Sequence, residues 1–134
     1  ATLSEWKRAV LGARMNGYDA VVVGLYQTIV DETGRHVNAA DIIAWTSENV
    51  TVPPFAFWDF AVGADKAIGG LVLFGQAQGE AAGRMARQIL EGIPPNIIPP
   101  VVGKKGRFLF SLHQLKKWNI TLPENILREA CLMD

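Results

Sequence analysis

The spacing of apolar positions changes several times along the chain, and each change marks an element. Leu3, Trp6, Val10 and Ala13 recur on one helical face. Thr2 and Glu5 carry the spacing of a capping box ahead of it, and Gly17 stands where a helix end calls for positive φ. The run YDAVVVGLY is β-branched and almost continuously apolar, which predicts a strand covered on both faces, as in a parallel sheet. Asn38 then caps a second helix, NAADIIAWTSENV, with Ala39, Ile42, Ile43 and Thr46 on one side. PPFAFW reads as a short strand, its prolines placed where pairing begins. DFAVGADKA reads as a loop or single turn. IGGLVLFG reads as a third strand whose glycine pair lets a neighbour approach closely.

The clearest helical period follows in QAQGEAAGRMARQILEG, with an apolar stripe of Ala82, Met85, Ala86, Ile89 and Leu90. Glu80 with Arg84 and Arg87 with Glu91 pair on its wet side, and Gly92 closes it. The prolines of IPPNIIPPVV force an extended strap, expected to run over the surface with its Ile and Val side chains buried. GKKG is a turn and RFLF a short strand. Ser111 and Gln114 box the start of SLHQLKKWN, and Pro123 opens a last helix, ENILREACLM. Helix and strand alternate through residues 1–92, the signature of right-handed βαβ units. The expectation is one α/β domain over residues 1–134, a three-layer αβα sandwich with a parallel sheet. Residues 93–134 add the strap, a short strand and helices.

Composition narrows the function classes. At 49% hydrophobic, 134 residues can bury a sizeable core. Thirteen basic residues balance thirteen acidic ones, which argues against a nucleic-acid surface driven by net charge. No apolar run is long enough to cross a membrane, and ATLSEWKRAV lacks the layout of a signal peptide. Cys131 is the only cysteine, so no internal disulfide forms, and on a helix face it reads as packing.

Most chemical candidates then fall away. Gly75, Gly79 and Gly83 are four apart, which is helix packing and not a dinucleotide fingerprint, and GKKG lacks the rest of a phosphate loop. His36 and His113 have no metal-ligand neighbours at useful spacing, and Ser4, Ser47 and Ser111 read as caps or helix surface. Lys104, Lys105, Arg107, Lys116 and Lys117 read as a solvated basic face. No cofactor, metal or catalytic constellation is expected.

What survives is geometric. Ligands of an open parallel sheet sit beyond the carboxyl ends of its strands. Each expected strand leaves there an aromatic beside polar groups: Tyr26 with Gln27 and Thr28, Trp58 with Asp59, Phe74 with Gln76. Gln76 also opens a helix, where backbone N–H groups favour an anion. Asp59 at such a mouth can meet a ligand's ammonium; the competing reading makes it a turn-former for the next segment. These seven residues are the candidate ligand-binding set.

From Asp19 to Pro123 the chain resembles the C-terminal lobe of type I periplasmic-binding-protein-like solute binders of ABC transporters. The resemblance rests on VPPFAFWDFAVGADKAIGGLVLFG, GQAQGEAAGRMARQILEGIPPNIIP and RFLFSLHQLKKWNITLP, in that order. The glycine doublet, QAQG and FLFS are closer to versions fused to bacterial sensor histidine kinases. The resemblance implies a non-enzymatic, extracytoplasmic lobe that closes over an amino acid or small carboxylate. It also implies a missing N-terminal lobe, and a permease or a signalling module in the parent protein. A lone half-cleft exposing Tyr26, Trp58, Phe60 and Phe74 would favour a symmetric homodimer.

Overall fold

A computed structural model describes residues 1–101 and 106–134. In chain order the elements are α1 (Leu3–Gly12), β1 (Val21–Val23), α2 (Ala39–Asn49), β2 (Pro54–Ala56), β3 (Gly69–Val72), α3 (Gly75–Leu90), β4 (Arg107–Ser111), α4 (Leu112–Lys117), α5 (Glu124–Leu127) and β5 (Cys131–Met133). Single 3-10 turns lie at Asp59–Ala61 and Pro95–Ile97. The capping signals work as read. Thr2 and Glu5 form the reciprocal box on α1, Asn38 caps α2, and Ser111 accepts from the Gln114 N–H at 3.2 Å.

β1 and β2 pair in parallel, Val21 opposite Pro54 and Val23 opposite Ala56. β3 continues in the same direction beside β2: Ile68 N–H donates to Pro54 O at 2.8 Å and Leu73 N–H to Phe57 O at 2.8 Å, with a parallel bridge between Trp58 and Leu73. The three strands read from the alternating segment are therefore mutually parallel. β4 reverses, running antiparallel to β3 with Arg107 opposite Val72, and β5 is parallel to β4. Close approach explains the glycine pair. Gly69 adopts φ +118°, and a Cβ there would lie 2.0 Å from Leu109 O, inside any real contact distance.

Two apolar layers flank this sheet. On one side Val23, Ile42, Ile43, Ala56 and Val72 are buried, with Leu3 and Trp6 of α1 packed against them. On the other, Ile68, Phe110 and Leu115 are buried under Trp118, Ile120 and Ile126. Buried polar groups tie the layers. The Trp6 indole N–H donates to Thr46 Oγ1 at 2.8 Å, and that hydroxyl donates to Ile42 O at 2.7 Å. Gln114 Nε2 donates to Ser47 Oγ at 2.8 Å and to Ala64 O, joining α4 to α2.

Five expectations are corrected. β1 is only three residues long and is not covered on both faces. Val22 is 64% exposed, because the layer of α4 and the chain after it extends over β2 to β4 but not over β1. Beside β1 an apolar groove of about 340 Å³ opens against α1, lined by Trp6, Val10, Ala13, Tyr18 and Val21. The last helix stops at Leu127, and Cys131 lies exposed on β5 instead of packing on a helix face. The free edge of β4 offers unpaired backbone groups there, and pairing them outweighs a weak local helical period. Most unexpectedly, α3 leaves the body. Ala81 is its one buried residue, while Ile89 and Leu90 are exposed, Leu90 at 88%. The proline strap is likewise open, with Ile93, Ile97 and Val101 exposed. On the wet side of α3, Arg87 and Glu91 pair at 2.7 Å, but Glu80 accepts from Gln76 instead of pairing with Arg84. Of the GKKG turn, residues 103–105 lie outside the described residues.

Candidate functional site

The carboxyl ends of β1, β2 and β3 open on one side of the body because the three strands run together. There the chain after β2 turns through Asp59–Ala61, fixed by Asp59 N–H donating to Leu73 O at 3.3 Å. Asp59 is thus hydrogen-bonded to the residue immediately before Phe74. Trp58 stacks on Phe60 with ring centroids 5.8 Å apart and planes 14° apart, and Phe57 packs on Trp58 at 5.4 Å. Phe60 is 48% exposed, so the mouth presents an aromatic plate. The indole N–H of Trp58 is buried without a partner among the described residues, an uncompensated cost of about 1–3 kcal/mol.

The candidate residues do not all fare alike. Trp58, Asp59 and Phe74 lie close together in the chain trace at the carboxyl ends of β2 and β3, where Trp58 bridges Leu73 and Asp59 N–H donates to Leu73 O. The Asp59 carboxylate also accepts from the Phe60 N–H at 3.0 Å, which is the turn-forming role, and this single bond leaves its other oxygen without a hydrogen bond among the described residues. Tyr26 is not exposed in the half-cleft. It is 3% exposed and lies beneath Phe60, ring centroids 6.3 Å apart, and this burial raises its phenol above the ordinary pKa of 10.0. Gln27 and Thr28 lie at the β1 exit, and no hydrogen bond among the described residues joins their side chains to the Trp58–Asp59 group. Gln76 sits in the first turn of α3, its amide held by Glu80 at 3.1 Å. No side chain caps α3, so its first-turn N–H groups have no side-chain partner among the described residues.

Arg107 belongs to this mouth although it reads from the sequence as part of a solvated face. Because β4 runs backwards, its first residue lies beside the last residue of β3, and the guanidinium carbon sits 4.0 Å from the Phe74 ring centroid. No periodicity or motif near Arg107 announces this. Only strand direction does. The rest of the basic group is dispersed: Lys117 Nζ donates to Ser47 O at 2.6 Å, Lys116 points to solvent, and Lys104 and Lys105 lie outside the described residues.

The arrangement suits recognition. Trp58 stacks on Phe60 and Arg107 lies over Phe74 at the carboxyl end of the sheet, and both histidines are exposed on the body's surface. No helix among the described residues is long and apolar enough to cross a membrane. A family model described as ABC transporter substrate binding protein matches residues 26–133, which takes in β1's exit, the whole mouth and α3. No curated protein and no solved structure matches the chain. With most of its length under that match, and with an α/β lobe of parallel strands as its fold, the chain belongs to the ABC transporter substrate binding protein family.

Proposed function

We propose that this chain is the solute-holding lobe of a two-lobed, hinge-closing, non-enzymatic protein that works outside the cytoplasm. Its ligand is an amino acid or small carboxylate, held at the mouth by Trp58, Asp59 and Phe74. The observation that carries this reading is the placement of α3. The helix starts at the mouth, beside Phe74, and runs away from the body with Ile89 and Leu90 bare. A 16-residue helix is only marginally stable by itself in water, and burial of its apolar face is what normally stabilises it. The strap brings the chain back to β4, so the excursion is out and return. A second lobe seated on that stripe stands beside the mouth and turns an open surface into a cleft. Closure over a solute would then bias a partner in the membrane, a permease or a signalling module, between two states.

A thermal-shift screen of amino acids and small carboxylates against the two-lobed parent tests this directly. The expected result is a ligand whose affinity falls about tenfold to a hundredfold in Asp59→Asn, which keeps shape but removes charge, a loss of about 1.5–3 kcal/mol. Equal dissociation constants would reduce Asp59 to its turn-forming bond with Phe60. Sedimentation of the isolated chain addresses what covers the stripe. A stable homodimer at low micromolar concentration that is abolished by Leu90→Glu would assign the stripe to a second copy and remove the argument for a second lobe.

A further inference from the structure

β1 has the composition of an interior strand but stands at an edge. Among the described residues it pairs with β2 alone. Val21 donates its N–H to Pro53 O on that side, so by the two-residue period Val22 points its N–H and C=O away from β2. Strands that face water at an edge are blunted by lysine, proline or a bulge, whereas β1 is three valines. Val22 is 64% exposed, and the apolar groove of about 340 Å³ runs between this strand and α1. Ala9 and Ala13 line the groove from α1, and their small side chains leave room for a neighbouring strand.

α1 fixes the direction of that strand. It begins beside Val30, downstream of β1's exit, where Leu3 N–H donates to Val30 O at 2.8 Å. The turn through Gly17 then returns the chain to the start of β1. α1 therefore runs counter to β1 and stands by its open edge, as the crossover helix of a right-handed βαβ unit does. A parallel pair needs a crossover of about a dozen residues or more, and residues 3–17 supply one.

We propose that the groove and the free edge of β1 are the seat of one further strand, parallel to β1 and contributed by the segment of the parent polypeptide that leads into α1. The strand is extended, bonds through its backbone to Val22, and is apolar on the side that meets Trp6, Ala9 and Ala13. A second copy fits worse, because pairing β1 with β1 brings a second α1 to the seam where the first already stands. The inference goes beyond the cleft reading and stands or falls independently of any ligand.

Amide hydrogen exchange, read by nuclear magnetic resonance on the isolated chain and on the two-lobed parent, tests it. Val23, which lies opposite Ala56 and bonds toward β2, is the internal reference. In the isolated chain Val22 is expected to exchange about a hundredfold faster than Val23. In the parent the two are expected to agree within about tenfold at every protein concentration, with Val22 in contact with residues upstream of α1. Val22→Pro removes only the outward N–H, so it is expected to lower the parent's unfolding midpoint and leave the isolated chain's nearly unchanged. A Val22 amide that stays fast in the parent would mean that no strand sits there, and the proposal is wrong. Protection that grows with concentration assigns the seat to a second copy and overturns it equally. So do contacts from Val22 to any other segment of the parent, or a Val22 already protected in the isolated chain.

Discussion

The body and the arm of this molecule obey the same sequence rules and meet opposite fates. In the body, α2 turns Ile42, Ile43 and Thr46 toward the sheet and buries them completely. In the arm, α3 has an equally regular stripe and buries only Ala81. The difference is not in amphipathicity, since both helices carry an apolar stripe, and the lack of a side-chain cap on α3 bears on its start and not on what covers its face. What differs is whether a complementary surface stands within reach. β2 and β3 give α2 a wall, whereas the chain leaves β3 at Phe74 heading away from its own sheet. An amphipathic helix without a wall is the surface that the proposed second lobe would cover, and it starts directly after Phe74.

The sharpest way to break this comparison is a matched pair of core deletions in the isolated chain. Ile42→Ala is expected to cost about 2–5 kcal/mol in urea unfolding, since Ile42 is 1% exposed and its cavity cannot fully collapse. Leu90→Ala in the same chain should change stability by no more than about 0.5 kcal/mol. A large loss from Leu90 would show the arm packed in solution and erase the contrast.

The next effect tests the proposed second lobe. In the two-lobed parent, Leu90→Ala is expected to cost about 2 kcal/mol or more, read as a lowered unfolding midpoint in denaturant. No difference between parent and isolated chain would leave the stripe without a second lobe.

Within the body, Thr46→Val keeps the shape of a buried side chain but removes the acceptor of the Trp6 indole N–H. The orphaned donor should cost about 1–3 kcal/mol, and the Trp6 environment should change in near-ultraviolet circular dichroism. An unperturbed variant would mean that α1 is held to α2 by apolar contact alone.

The smallest effect concerns acid. Asp31 accepts from the Thr33 hydroxyl, the Arg35 N–H and the Thr33 N–H, which hold its carboxyl below the ordinary 3.8. A depressed folded pKa stabilises above the unfolded value and loses that contribution as pH falls through the folded value. Nuclear magnetic resonance titration should therefore find Asp31 protonating below pH 3.8, and Asp31→Asn should flatten the body's stability between that folded value and about pH 5. The arm should show no such dependence on Asp31.

The sequence carried a good deal of this. Caps at Thr2, Asn38 and Ser111 are local hydrogen-bond chemistry, so each was readable from two or three residues and each is present. The order of helices and strands through residue 92 followed from apolar period. The mouth was readable in part, because a carboxylate set between Trp58 and Phe60 makes poor core and a natural strand exit. Tyr26 misled because an aromatic at a strand's end looks the same whether Phe60 covers it or solvent does. The Cys131 segment misled because a short apolar run fits a helical turn and a strand equally well.

By itself, then, the sequence determined which residues want burial, where elements begin and stop, and that Asp59 stands at a rim. Only the tertiary structure decided what those residues are buried against. β4 runs backwards and carries Arg107 onto Phe74, β5 completes β4's open edge, and α3 finds no wall within its own body. The reason is one of range. Period, caps and turns are encoded within a few neighbouring residues, whereas strand direction and layer coverage depend on contacts between segments tens of residues apart. Phe74 and Arg107 are 33 positions apart in the chain and meet only through the sheet.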